Sequence, residues 1–96
     1  MPTFVRLASL TEQGARQTRE LGKLLAQARE VMEAHGAKML QAYATLGRYD
    51  IVAIVEAPDE KTMATISALI ASQGNFKAET LPAISIQEFV QKMQEK

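Results

Sequence analysis

The sequence of 96 residues contains no cysteine and no tryptophan, and only two tyrosines and three phenylalanines. The absence of cysteine excludes disulfides, thiolate metal sites and a cysteine nucleophile. Eleven basic and eleven acidic residues cancel, so no net field attracts nucleic acid or an anionic membrane. The sequence also lacks an apolar run long enough to span a membrane, and its N-terminus lacks the basic segment followed by an apolar segment that is typical of a secretory leader. We therefore expect a soluble, unprocessed, cytoplasmic protein that binds neither nucleic acid nor membrane.

An apolar content of 47% and a charged content of 23% are typical of an ordinary folded chain. The length suits one domain, residues 1–96, with a core made mainly of aliphatic side chains. A core of this size gives limited stability, so an interface shared with another subunit would stabilise the fold.

The first half predicts a strand and then one long helix. Alternation from Thr3 to Ser9 has the period of a half-buried strand. Thr11 offers a helix N-cap, apolar residues then recur at steps of three and four, and Gly36 ends the helix in a conformation that glycine adopts without strain.

The middle of the chain predicts a hairpin. Lys38 to Leu46 forms its first strand, and Gly47 can occupy the first central position of a two-residue turn. That turn would pair Ala44 with Ile51 and Leu40 with Val55, which fixes one apolar face across both strands.

The last third predicts a second helix, an edge strand and a short terminal helix. Asp59 is a strong N-cap, so the second helix begins near Glu60 and ends at Gly74. The strand over residues 75–84 contains Pro82, which requires an edge position or a bulge. Ser85 and Glu88 have the spacing of a capping box, and we expect the helix that follows to dock on an apolar surface.

These elements predict an α+β fold of the ferredoxin-like βαββαβ type, with a four-stranded antiparallel sheet, both long helices on one face and the first and third strands central. The uncovered face is too apolar for a single molecule to leave in water. A second copy of the chain would cover it. The residues expected on this face are Phe4, Arg6, Tyr43, Val52, Ile54 and Thr80.

Four segments carry a family resemblance: Leu46 to Asp50, Val52 to Asp59, Gly74 with Asn75, and Glu79 to Ala83. The chain resembles the GYD domain family, whose Gly-Tyr-Asp core here includes an additional Arg48. The resemblance implies a small bacterial ferredoxin-like subunit that assembles as a dimeric α/β barrel. It supplies no catalytic residues, and the barrel superfamily includes monooxygenases, isomerases and ligand-binding regulatory domains.

Four polar residues are candidates for a ligand site in the expected barrel: Arg6, Tyr43, Glu56 and Thr80. Arg6 could hold an anion while Tyr43 and Thr80 orient it, because small-molecule sites are mostly apolar with a few convergent polar groups. Alternatively, Arg6 pairs with Glu56 or Glu79 across the dimer and the barrel is simply filled, since a buried charge needs a partner.

The remaining candidates have structural interpretations. We expect Tyr49 to close the hairpin end of the core and Asp50 to hold the turn through backbone hydrogen bonds. His35 is expected to cap or pack the end of the first helix, because a metal site would need further ligands that the sequence does not cluster. No cofactor is predicted.

The sequence leaves three functions open. The first is a homodimeric module that binds a small organic ligand or regulates a partner. The second is a cofactor-free monooxygenase or isomerase that uses Tyr43 and Arg6, and the third is an assembly module without a ligand.

Overall fold

The computed structural model describes residues 1–95, and nine elements follow one another along them. Four are strands, four are α-helices and one is a single 3-10 turn. The elements are β1 (Thr3–Leu10), α1 (Glu12–Ala15), the 3-10 turn (Thr18–Glu20), α2 (Leu21–Ala34), β2 (Lys38–Ala44), β3 (Ile51–Glu56), α3 (Glu60–Ser72), β4 (Phe76–Ala83) and α4 (Ile86–Gln94).

The strands form one antiparallel sheet in the order β2-β3-β1-β4. The order confirms the predicted ferredoxin-like arrangement, with β1 and β3 central and the Pro82-containing β4 at an edge. Helices α2 and α3 cover one face, and the core lies between them and the sheet. Its largest fully buried side chains are Met32, Val55, Met63, Ile66 and Ile70.

The predicted helix ends are confirmed by their capping geometry. The side chains of Thr11, Asp59 and Ser85 accept hydrogen bonds from the backbone N–H groups of Gly14, Thr62 and Glu88. Gly36 and Gly74 follow α2 and α3 with positive φ angles of 75° and 85°, a conformation that favours glycine. Local side-chain and backbone chemistry therefore places these boundaries.

The prediction of one continuous first helix is wrong. The segment contains α1, the 3-10 turn and then α2, which begins only at Leu21. Between Thr11 and Leu21 no large apolar side chain is available to anchor a helix on the core. Gly14 instead brings the backbone of α1 so close to the backbone of Asn75 that an added Cβ would lie 2.2 Å from its carbonyl oxygen.

The hairpin keeps most of the predicted register but has a wider loop. Ala44 pairs with Ile51, as expected, whereas Val55 pairs with Met39 because an irregularity at Leu40 shifts the register. The strands stop at Ala44 and Ile51, and the Thr45 N–H donates to the Asp50 carbonyl at 2.9 Å. The predicted two-residue turn is therefore wrong.

The prediction of which β1 side chains lie on the uncovered face of the sheet is also wrong. Phe4, Arg6 and Ala8 point to the helix-covered face, where each is at most 5% exposed. Val5 and Leu7 lie on the other face, opposite Ile54 and Val52. The period of two holds, but sequence periodicity does not say which set faces the helices.

Helix α4 does not dock as predicted. All nine of its residues are exposed, including the apolar side chains of Ile86, Phe89, Val90 and Met93. The molecule is correspondingly elongated, with extents of 53 × 30 × 17 Å. Helix α4 therefore retains an apolar side whose four residues are 45–73% exposed.

Candidate functional site

Arg6 occupies the middle of β1 and is the most unusual side chain of the molecule. Only 5% of its surface is exposed, and its Nη1 donates a hydrogen bond to Ser67 Oγ of α3 at 3.3 Å. Burial lowers the pKa of the guanidinium from its ordinary value. An arginine remains charged even so, so β1 carries a cation into the core.

No carboxylate within residues 1–95 lies within ion-pair distance of this guanidinium. The ion pairs found there join Arg16 to Glu12 and Lys92 to Glu95, and both are exposed. The alternative in which Arg6 pairs with Glu56 or Glu79 across a dimer seam does not fit its position on the covered face. A buried charge without a counter-charge destabilises a fold, so Arg6 invites an explanation other than packing.

Two hydroxyl groups extend from Arg6 toward the surface. Thr80 lies directly opposite Arg6 in the pairing of β1 with β4. Its Oγ1 is 3.2 Å from Ser67 Oγ, and either hydroxyl can donate in that bond. Arg6, Ser67 and Thr80 form a hydrogen-bonded chain, which we call the Arg6 chain.

The hydroxyl end of the Arg6 chain lies in a groove between α3 and β4. The groove has a volume of about 380 Å³, within the range of small-molecule sites. On another side of Arg6, between α2 and the sheet, lies a cavity of only about 20 Å³. The groove is lined by Phe4, Glu60, Met63, Ala64, Ser67, Ala78, Thr80 and Pro82.

The structure separates the four predicted ligand residues into two pairs. Arg6 and Thr80 share the covered face, whereas Tyr43 pairs with Val52 and Glu56 pairs with Thr3 on the open face. Their predicted convergence in one cavity is therefore wrong, because the sheet lies between the pairs. Tyr43 is 53% exposed, and its hydroxyl donates to Gln41 Oε1 at 2.9 Å.

The loop after β2 has a structural role. Asp50 Oδ2 accepts a hydrogen bond from the Leu10 N–H at 2.9 Å, and the Asp50 N–H donates to the Ala8 carbonyl at 2.9 Å. The backbone role predicted for Asp50 is confirmed, although the partners of its side chain and its N–H belong to β1. The Tyr49 hydroxyl donates to Glu79 Oε1 at 2.9 Å, so it binds a carboxylate on β4 and does not close the core.

His35 follows α2 and stays exposed, with Nδ1 at 2.9 Å from the Val31 carbonyl oxygen. This geometry fits the predicted helix-capping role. Within residues 1–95, no group of three or more histidine, aspartate or glutamate side chains is arranged to hold a metal ion. None of the helices described there has the length and apolar character needed to cross a bilayer.

A family model for the GYD domain matches residues 4–93 of the chain. The chain belongs to the GYD domain family. The match spans nearly the whole sheet and nearly all of α4, so the Arg6 chain and its groove lie inside the GYD domain.

The GYD chain is also similar to individual proteins along most of its length. It is 34% identical over 94 residues to a Thermus thermophilus protein named glutamine synthetase and cystathionine beta-lyase binding protein, covering 97% of this chain and 99% of that protein. Among solved structures, FFRP-DM1 matches with a TM-score of 0.60 and 24% identity, covering 88% of this chain and 100% of that chain. A solved structure from Thermus thermophilus matches with a TM-score of 0.57 and 22% identity, covering 88% of this chain and 95% of that chain. At these identities the two structures support the fold alone.

Two polar features of this GYD domain were missed by sequence reasoning. The first is Ser67 in α3, because a single serine in a helix carries no sequence signal of its hydroxyl contacts. Asn75 is 5% exposed, and its Oδ1 accepts hydrogen bonds from Gln13 Nε2 at 2.9 Å and Gln17 Nε2 at 3.3 Å. This cluster ties α1 to the loop after α3.

Proposed function

We propose that this GYD protein is a homodimeric binding module that docks on a protein partner through α4. One observation carries the proposal. A helix whose apolar side chains are all exposed loses stability unless another surface covers them.

The apolar residues of α4 have the spacing of a docking helix. Ile86, Phe89, Val90 and Met93 follow one another at i, i+3, i+4 and i+7, which places them on one side of the helix. Their exposed fractions are 73%, 46%, 45% and 66%. Amphipathic helices with these anchor positions bind in apolar grooves of partner proteins, and we call this surface the α4 stripe.

The class of partner is suggested by the similar Thermus protein, which is named for binding glutamine synthetase and cystathionine beta-lyase. That protein matches this chain over nearly its full length, α4 included. We therefore propose an enzyme of amino-acid metabolism as the partner of the α4 stripe.

The proposed dimer forms through the open face of the sheet. Val5, Leu7, Val52 and Ile54 give the face an apolar centre on the two middle strands, with Tyr43 beside them. Around this centre the same face carries two acidic and two basic residues, so two copies can meet without net repulsion. Those charged residues are Lys38, Glu56, Lys77 and Glu79.

A pair of substitutions in α4 tests the docking. Phe89→Glu places a charge in the α4 stripe, whereas Gln91→Glu adds the same charge on another side of the helix and serves as the control. We expect calorimetric titration into purified glutamine synthetase and cystathionine beta-lyase from the same organism to detect binding of the wild type to at least one of them. Phe89→Glu should weaken that binding by at least tenfold, or about 1.4 kcal/mol. The control should retain it, and equal binding by both variants would refute docking through α4.

Sedimentation of the same proteins tests the dimer separately. Ile54→Lys puts a charge in the centre of the open face and should give monomers at micromolar concentration. The control Thr65→Lys lies on the exposed side of α3 and should sediment like the wild type. A monomeric wild type would contradict the dimer. A monomeric Phe89→Glu protein would show that α4 covers a second copy of this chain and would contradict the proposed partner role.

A further inference from the structure

We propose that the groove between α3 and β4 binds a small monocarboxylate with an apolar body. The Arg6 chain would receive the carboxylate, and the apolar lining of the groove would contact the rest of the ligand. The site is distinct from the α4 stripe, and the inference does not depend on the protein partner.

The hydrogen-bond direction of the Arg6 chain favours an acceptor in the groove. A guanidinium can only donate, so Ser67 Oγ must accept from Arg6. The two hydroxyls then have two hydrogens, and their mutual bond uses one of them. The second hydrogen is free to point into the groove from Ser67 or from Thr80.

Charge strengthens this preference. The guanidinium lies one hydroxyl behind the groove and has no carboxylate within ion-pair distance among residues 1–95. A hydroxyl polarised by a buried cation binds an anion better than a neutral acceptor, because little water screens the charge. An anion in the groove would supply the counter-charge that the chain itself does not.

The lining sets the rest of the ligand's chemistry. Phe4, Met63, Ala64 and Pro82 make most of the groove apolar. Glu60 lines it as well and lies two turns of α3 before Ser67, or roughly 10 Å along the helix axis. A second carboxylate near Glu60 would be repelled, so the groove favours a monocarboxylate over a dicarboxylate.

Three probes of similar size test the charge requirement: hexanoate, hexanamide and hexylammonium. We expect hexanoate, titrated into the isotopically labelled protein, to shift the amide resonances of Ser67 and Thr80 with a millimolar dissociation constant. Hexanamide should bind at least tenfold more weakly, and hexylammonium should leave these resonances unchanged. Equal binding of the acid and the amide, or no shift at the groove, would overturn the proposal.

Two substitutions test the residues. Arg6→Met removes the charge and Thr80→Val removes a hydroxyl of the chain, so each should weaken hexanoate binding at least tenfold. Thr65→Val is the matched control, because its hydroxyl donates to the Lys61 carbonyl of α3 outside the groove. Circular dichroism establishes that each variant is folded, and unchanged hexanoate affinity in a folded Arg6→Met protein would overturn the assignment. Enzyme binding through the α4 stripe is measured on the same variants, so the two proposals can fail separately.

Discussion

Replacing Arg6 with methionine should stabilise the protein, even though the arginine links β1 to α3 through a hydrogen bond. Arg6 is 5% exposed, and its guanidinium makes one side-chain hydrogen bond at 3.3 Å and has no acidic partner within ion-pair distance in residues 1–95. Removing buried charges in favour of apolar side chains is often neutral or stabilising, by up to about 1–4 kcal/mol.

The expected gain is smaller than that range because the substitution also has a cost. Methionine cannot donate to Ser67, and the loss of one hydrogen bond costs about 1 kcal/mol. Ser67 keeps Thr80 as a partner, so its hydroxyl is not left unpaired. We expect a net gain of about 1 kcal/mol, which raises Tm by roughly 4–8 °C in a domain of this size.

Urea unfolding followed by circular dichroism measures this difference, provided that the two proteins have the same slope with denaturant. Equal protein concentrations are required because a dimer's apparent stability depends on concentration. Arg29→Met on the exposed side of α2 is the control and should change stability by less than about 0.5 kcal/mol. A loss of more than about 1 kcal/mol on Arg6→Met would show that the guanidinium stabilises the fold, and it would remove the reason to seek an anion for it.

Three further predictions concern local structure. Gly14→Ala should destabilise the protein by about 1–3 kcal/mol, because the new Cβ would lie 2.2 Å from the Asn75 carbonyl oxygen. In the control Gly22→Ala the new Cβ meets no atom within 4 Å, so this variant should instead have a slightly higher Tm. Equal changes in stability in the two variants would contradict the close packing at Gly14. Asn75→Ala should cost about 1–3 kcal/mol in urea unfolding, because Gln13 and Gln17 each lose one of their two hydrogen-bond acceptors, and an unchanged midpoint would contradict the role of this cluster. The backbone and hydroxyl bonds from Thr62 lower the pKa of Asp59, so its stabilising effect is present above the unfolded pKa of about 3.9 and is lost as pH falls through the lower folded value. Asp59→Asn should reduce this loss of stability at acid pH. An unchanged loss in the variant would show that other groups cause it.

Local chemistry made much of the fold predictable. Asp59 and Ser85 have short polar side chains that cap helices, and Gly36 and Gly74 adopt positive φ where other residues are strained. These preferences act within a few residues, so the sequence alone places these helix ends, although not the start of α2 at Leu21. The order of the strands then follows from the βαββαβ pattern.

Long-range packing decided the rest. Both alternating sets of β1 contain apolar residues, so the alternation alone does not decide which set faces the helices. The structure buries Arg6, which reverses the face assigned to Phe4 and Thr80. Neither the hydroxyl of Ser67 beside Arg6 nor the approach of Gly14 to Asn75 has a counterpart in any local pattern.

The two proposed sites lie on different elements, and this separation limits how strongly they can influence each other. The groove belongs to α3 and β4, whereas the partner would contact α4, which follows β4 through Ile84 and Ser85. Coupling between sites requires an element with two arrangements whose equilibrium both ligands shift. Without such an element, Thr80→Val and Phe89→Glu should act additively on enzyme binding, to within about 0.5 kcal/mol. A larger interaction energy would mean that Thr80 and Phe89 are coupled through β4, and we would then expect a carboxylate in the groove to change docking through α4.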